Sequence, residues 1–174
     1  MQMRGERLHT TRALPHQRVA DVLGNVRWAT SQHGLYRSSA LRKTRLHDAF
    51  GGSDRVLLLE LAILGEFWEI PEILFLKRDH QGRSSLINKT KAEMAAWLDP
   101  MRKEKNSQKR IIVEFVRSIA RFPLAPGERL LCFWTALFVW SKRRLLDRHC
   151  FELLKGTQAP EVPIEVGHTR KYGY

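Results

Sequence analysis

The chain has 174 residues, of which 43% are hydrophobic, and it carries a formal net charge of +12. A chain of this length and composition can bury a real core, which excludes an intrinsically disordered polymer. The charge indicates either an anionic partner or a need for repulsion.

The basic excess is uneven along the chain. Residues 1–48 hold nine Lys/Arg against three Asp/Glu (+6), and residues 101–148 hold twelve against four (+8). Residues 49–100 hold six against eight (−2), and residues 149–174 are balanced at three against three. Basic segments that flank an acidic one are compatible with a membrane surface, a polyanion or a phosphate-bearing substrate.

Cysteine usage and hydropathy predict a cytoplasmic protein. Cys132 and Cys150 have no paired metal-ligand spacing, so neither a disulfide framework nor a zinc site is expected. Cys132 lies in an apolar run, which is typical of a buried small hydrophobe. The N-terminus lacks the apolar core of a signal peptide. The longest apolar run, Leu130 to Trp140, is shorter than the ~20 residues of a membrane-spanning helix.

The first half of the chain begins with a basic arm at 1–15, and apolar spacing then predicts a helix over 16–26. The further elements predicted in this half are a strand at 33–37, a short helix at 40–44 and extended segments at 67–70 and 73–78 on either side of Pro71.

A very apolar helix follows the turn at 50–52. Ser53 is expected to cap its N-terminus, and Asp54 lies in its first turn, where a negative charge suits the helix dipole. Glu60 is the one polar residue in its middle, so this helix is expected to be buried nearly all round. Gly65 is expected to end it.

The second half of the chain is predicted to be helical. Helices are expected at 91–98, 108–122 and 126–148, each bounded by a proline or a capping residue. The last residues, 157–174, are punctuated by proline and glycine and are expected to form a flexible tail.

The stretch HGLYRSSALRKTRLHDAFGGSDRVLLLELAILGEFWEIPEILFLKRDHQGRSS resembles the C-terminal, acceptor-side part of the catalytic domain in family 2 glycosyltransferases. The shared order is strand, short basic helix, turn, acid at a helix start, apolar helix ending in Gly, proline-broken segment and Arg-x-His. The resemblance covers about a third of the chain and implies an α/β fold of the GT-A type. It assigns 16–90 to the C-terminal part of a GT-A-like domain and 91–156 to a helical extension.

The resemblance implies a catalytic role for Asp54. In inverting members of the family, the matching acid is the general base for the acceptor hydroxyl that attacks the sugar of a nucleotide-sugar donor. A carboxylate near a helix N-terminus is oriented and kept ionised, which suits a base. Ser53, on the acceptor side, stands where the family has a first acid. Helix capping alone also explains Asp54.

The resemblance implies further binding residues on either side of Asp54. His80 matches the histidine that closes the late motif of the family, which in some GT-A enzymes helps to bind the divalent metal or the donor diphosphate. Arg78 and Arg83 are expected to contact phosphate oxygens, which a guanidinium pairs with in a fork geometry. Tyr36 and Arg37 fall on the acceptor side. Ordinary surface positions, or a core position for Tyr36, explain these residues equally well.

The donor-binding half that the family requires is missing from the chain. The family binds Mg²⁺ or Mn²⁺ through an Asp-x-Asp motif in an N-terminal β/α half. This chain has no Asp-x-Asp and no room for that half before His33. A divalent cation is therefore implied as the cofactor, with most of its ligands absent. The expectation is a truncated or split glycosyltransferase that acts on a carbohydrate or lipid-linked acceptor.

Other interpretations of the sequence stay open. The cluster RKEKNSQKR at 102–110 favours a nucleic-acid-binding module, although no aromatic residues are interleaved with it for stacking. The aromatic residues and cations of 126–148 favour peripheral contact with the inner membrane face, whereas an apolar surface on every side of this helix favours burial. A pseudo-enzyme that pairs with a separate donor-binding chain is a further alternative.

Overall fold

The computed structural model describes residues 7–26, 29–72, 74, 87, 90–98 and 107–155. The helices with described bounds are α1 (Pro15–Asn25), α2 (Ser38–Leu41), α3 (Ser53–Leu64), α4 (Lys91–Leu98), α5 (Ser107–Arg121) and α6 (Pro126–Lys155). A 3₁₀ turn at Thr30–His33 lies between α1 and α2.

The prediction of a GT-A-type α/β fold is wrong. The described residues are 64% helix and 2% strand, and they contain no sheet. In place of the strand predicted at 33–37, the chain closes the 3₁₀ turn and enters α2. An extended segment becomes a strand only when a neighbour satisfies its backbone groups, and in the described part of the chain such pairing is confined to one antiparallel bridge between Thr10 and Phe67. Of the predicted extended segment 73–78, residues 73 and 75–78 lie outside the described residues.

Helical periodicity was the stronger signal in the sequence, and it is confirmed. Val19, Val22, Leu23 and Val26 follow the i, i+3, i+4, i+7 spacing of one helix face, and all four are buried. The predicted helices at 91–98 and 108–122 correspond to α4 and α5, and α6 continues beyond the expected end at residue 148.

Helix α3 lies at the centre of the core. Nine of its twelve residues are buried, which confirms the expectation that it is covered nearly all round. It packs against α1 and α5, and α6 packs against both of these helices. The predicted regions 16–90 and 91–156 therefore share one core. Its fully buried large side chains include Leu23, Leu58, Leu59, Ile111, Phe115 and Ile119.

Side chains from neighbouring helices hold the ends of α1. Leu14, the N-cap residue of α1, makes no side-chain capping bond. Glu128 of α6 substitutes for it, because its Oε1 accepts the backbone N–H of His16 at 2.7 Å and lies 2.9 Å from Nδ1 of the same residue. At the other end, the Arg143 guanidinium donates to the carbonyls of Leu23, at 2.8 Å, and Val26. These contacts join α1 to α6 at both ends.

Arg18 holds the C-terminal end of α3. It is 7% exposed, and it donates from Nε to the Ala62 carbonyl at 2.8 Å and from Nη2 to the Ile63 carbonyl at 3.1 Å. These carbonyls belong to the last turn of α3, where a helix lacks internal donors and favours a cation. Burial lowers the pKa of Arg18, and nearby carboxylates act in the opposite direction. At least one of the basic residues, Arg18, therefore stabilises the fold and is not available to a partner.

Candidate functional site

The turn before α3 positions Asp54. Gly52 is the N-cap residue, and its φ of 99° lies in the left-handed region that favours glycine. A Cβ atom at this position would clash with Cδ1 of the buried Ile111, so the turn lies directly against α5. Ser53 is the first helical residue and is buried, whereas the sequence predicted it as the N-cap. Glycine at position 52 thus fixes how the chain enters the helix.

Asp54 presents a partly exposed carboxylate in the first turn of α3. Its Oδ1 accepts the backbone N–H of Arg55 at 2.8 Å, which restricts the rotation of the carboxylate. Its position in the first turn places it near the positive end of the helix dipole. In the described part of the chain, no Lys, Arg or His forms an ion pair with it. Asp54 therefore combines a defined orientation with access to solvent.

A surface depression of about 290 Å³ opens beside the start of α3. Ser53 contributes to its wall, whereas Asp54 is not one of the lining residues. The residues that line it are Arg45, Leu46, His47, Asp48, Phe50, Ser53, Val56 and Glu114. A small ligand in this depression would contact Ser53, which is next to Asp54 in the sequence.

The charged groups of this depression already have partners in the protein. Arg45 forms an ion pair with the buried Glu114 of α5, and Asp48 pairs with Arg110 at 2.6 Å. The Arg110 guanidinium also lies 4.3 Å from the ring centroid of Phe50. These contacts tie the loop before α3 to α5, so they account for the polarity of the depression without a ligand.

Glu60 occupies the opposite environment from Asp54 on the same helix. It is 0% exposed, and its Oε1 accepts the Ser118 hydroxyl at 2.7 Å and the Arg121 guanidinium at 2.9 Å. Its Oε2 accepts the backbone N–H of Arg45 at 2.8 Å. A buried carboxylate with three donors is satisfied as part of the fold. Sequence reasoning did not assign this role, although the signal was one acid in an otherwise apolar run.

The acceptor-side residues proposed from the sequence lie before α2. Tyr36 is half-buried, and its hydroxyl donates to the Ser31 carbonyl. Burial raises the pKa of Tyr36 to about 12. Arg37 is the N-cap residue of α2 and is exposed. Neither side chain forms a hydrogen bond or ion pair with Asp54 in the described residues. The structure therefore gives Tyr36 a local structural contact and leaves Arg37 at the surface.

The donor-side residues proposed from the sequence, Arg78, His80 and Arg83, lie outside the described residues. Their proposed roles stay predictions. Among the described residues, no group of three or more His, Cys, Asp or Glu side chains is arranged to hold a metal ion. The described residues thus do not include a ligand set for the Mg²⁺ or Mn²⁺ that the family resemblance implies.

No family model matches the chain, and neither a curated protein nor a solved structure matches it. The resemblance to family 2 glycosyltransferases stays a prediction from the motif order between His33 and Ser85.

Proposed function

We propose that this chain takes part in glycosyl transfer, with Asp54 as the base that acts on the acceptor hydroxyl. The donor-binding part of the site lies on a segment or chain other than the described residues. This proposal keeps the residue-level similarity around α3 and does not depend on a GT-A-type sheet, which the described residues lack.

The observation that carries the proposal is the environment of Asp54. A general base has to be oriented, ionised and within reach of the proton that it accepts. Asp54 has one hydrogen bond to its own helix terminus, forms no ion pair with another described residue and is partly exposed. Glu60, six residues further along α3, fails the last requirement because it is fully buried.

The proposed step is an inverting displacement. The Asp54 carboxylate accepts the proton of the acceptor hydroxyl while the hydroxyl oxygen forms a bond to the anomeric carbon of the donor sugar. The bond between that carbon and the phosphate oxygen breaks, and the nucleoside diphosphate leaves with the electron pair. A divalent cation supplied with the donor-binding part would neutralise the charge on the diphosphate.

Acceptor binding tests this proposal on the chain as it is. In ¹⁵N-edited NMR titrations with a panel of mono- and disaccharides, we expect shifts in the amide signals of residues 52–55. Asp54→Asn should change the response of these signals, because the carboxylate no longer accepts a sugar hydroxyl. Glu66→Gln is the matched control, since it removes the same charge from an exposed acid just beyond the other end of α3.

Two results would contradict the proposal. One is the absence of any shift at residues 52–55 with the whole panel of sugars, and the other is an identical response in the wild type and in Asp54→Asn. Calorimetric titration with Mn²⁺ and nucleotide sugars addresses the donor side separately. We expect no tight binding, so a micromolar dissociation constant would show that this chain holds a donor site.

A further inference from the structure

Helix α6 has two apolar faces, and only one of them is covered. Cys132, Ala136 and Trp140 point into the core and are buried, with Phe133 and Val139 packed beside them. At 100° per residue these side chains lie on one half of the helix. This half accounts for the packing of α6 on α1 and α5.

The opposite half of α6 carries large apolar side chains that are exposed to solvent. Trp134 is 67% exposed, Phe138 64%, Leu130 58% and Leu145 67%, and Leu131 and Leu137 lie beside them. Their spacing of three, four and seven residues places all six on one stripe. We call this stripe the outer face of α6. Monomeric proteins seldom expose an apolar surface of this kind unless it has a partner.

Between residues 126 and 145, cations border the outer face and no acid lies on it. Lys142 lies about 80° to one side of Trp134 around the helix, and Arg144 lies about 80° to the other. Between residues 126 and 145 the only acid is Glu128, and it is engaged with His16. Aromatic and leucine side chains between two cationic edges are the arrangement of a helix that lies in the plane of a lipid interface.

The net charge of the protein favours an anionic partner for this face over a second copy of the chain. A second copy would bring another +12 chain against the same cationic edges, whereas an anionic surface complements them. In the described residues, no helix is long and apolar enough to cross a bilayer. We propose that the outer face of α6 binds an anionic membrane surface, with the helix parallel to the bilayer plane. This inference is independent of the proposed sugar transfer.

Vesicle co-sedimentation of the full chain tests this proposal. Vesicles of phosphatidylcholine with one third phosphatidylglycerol should bind the wild type at low salt, and pure phosphatidylcholine should bind it more weakly. Trp134→Ser combined with Phe138→Ser should lower partitioning at least about tenfold, because two aromatic side chains no longer insert. Lys142→Gln combined with Arg144→Gln should lower it about tenfold or more on anionic vesicles and little on neutral ones.

Trp97→Ser is the matched control, because Trp97 is 58% exposed on a different helix. It should partition like the wild type. Far-UV circular dichroism of every variant confirms that the helices are retained. Failure of the wild type to bind anionic vesicles at low salt, or equal binding by the Trp134 and Phe138 double variant, would overturn the proposal. The proposal would also be overturned if this face were required for RNA binding or self-association and the protein did not bind vesicles.

Discussion

Asp54 and Glu60 are acids of the same helix, six residues apart, and they differ in burial and in the number of hydrogen bonds that they accept. Glu60 is completely buried and receives three hydrogen bonds from two other parts of the chain. Asp54 is partly exposed and receives one bond from its own helix terminus. The number of donors around an acid thus separates a group that holds the fold from one that is available to a ligand.

The two faces of α6 repeat this contrast with apolar side chains. Trp140 is 4% exposed and its ring lies 5.5 Å from that of Phe115, whereas Trp134, six residues earlier, is 67% exposed. The same residue type therefore stabilises the core on one face and presents a surface for association on the other.

Removing Glu60 should give the largest loss of stability. Glu60→Ala leaves the buried Ser118 hydroxyl and the Arg45 backbone N–H without their acceptor and creates a cavity beside them. We expect a loss of about 3 kcal/mol in the free energy of unfolding. Urea denaturation measures it. Glu66→Ala, at an exposed acid near the same helix, should change the stability by less than about 0.5 kcal/mol.

Removing the Arg18 guanidinium should have the next largest effect. Arg18→Met keeps most of the side-chain volume but leaves the Ala62 and Ile63 carbonyls without their buried donor. We expect a loss of about 2 kcal/mol in the free energy of unfolding. Arg12→Met is the control, because Arg12 is 65% exposed and its ion pair with Asp21 is 3.6 Å long. An equal effect of the two variants would show that Arg18 does not hold the end of α3.

Gly52→Ala tests how rigidly the chain enters α3. Alanine would be strained at a φ of 99°, and its Cβ would meet the buried Ile111 side chain. We expect a loss of about 1–2 kcal/mol in thermal or urea unfolding. Gly24→Ala should act in the opposite direction and stabilise the protein by about 0.5 kcal/mol, because an added Cβ there would have no neighbour within 4 Å and alanine favours the helix. Destabilisation of equal size by both variants would contradict this account of the turn.

Tyr36 should give a smaller, pH-dependent effect. Its pKa is raised by burial to about 12, above that of an unfolded tyrosine. The contribution to stability is therefore complete below about pH 10 and decreases as the pH rises towards 12. Ultraviolet difference titration should show a late tyrosinate transition that Tyr36→Phe removes. Titration of all three tyrosines near pH 10 would contradict the burial of this side chain.

The sequence predicted the helices well because their apolar spacing is strong. Residues 111, 115 and 119 recur every four positions, and all three are buried in α5. The extended segments were predicted from residue type, and the α/β fold from the family resemblance. The apolar pattern of these segments is too short to define a sheet. A sheet also requires distant segments to pair, and a single sequence does not specify such pairing.

The candidate site could be predicted only in part. Asp54 was located correctly in the first turn of α3, because a turn followed by an apolar run fixes a helix start. The contacts of Glu60 could not be predicted, since they join α3 to residues 45, 118 and 121, which are distant along the chain. For 126–148 the sequence left membrane contact and burial both open, because a run that is apolar on both faces gives no periodic signal to show which half is exposed.

The most direct test of the central contrast is a matched pair of variants that each remove one negative charge from α3. Glu60→Gln places an amide donor against the Arg45 N–H or against the Ser118 and Arg121 donors, and should cost about 2 kcal/mol. Asp54→Asn keeps a side-chain acceptor at the helix start and should cost less than about 1 kcal/mol. Urea unfolding of both variants should therefore place the Glu60 variant well below the Asp54 variant in stability. Equal losses, or a larger loss for Asp54→Asn, would contradict the conclusion that the fold depends on Glu60 and not on Asp54.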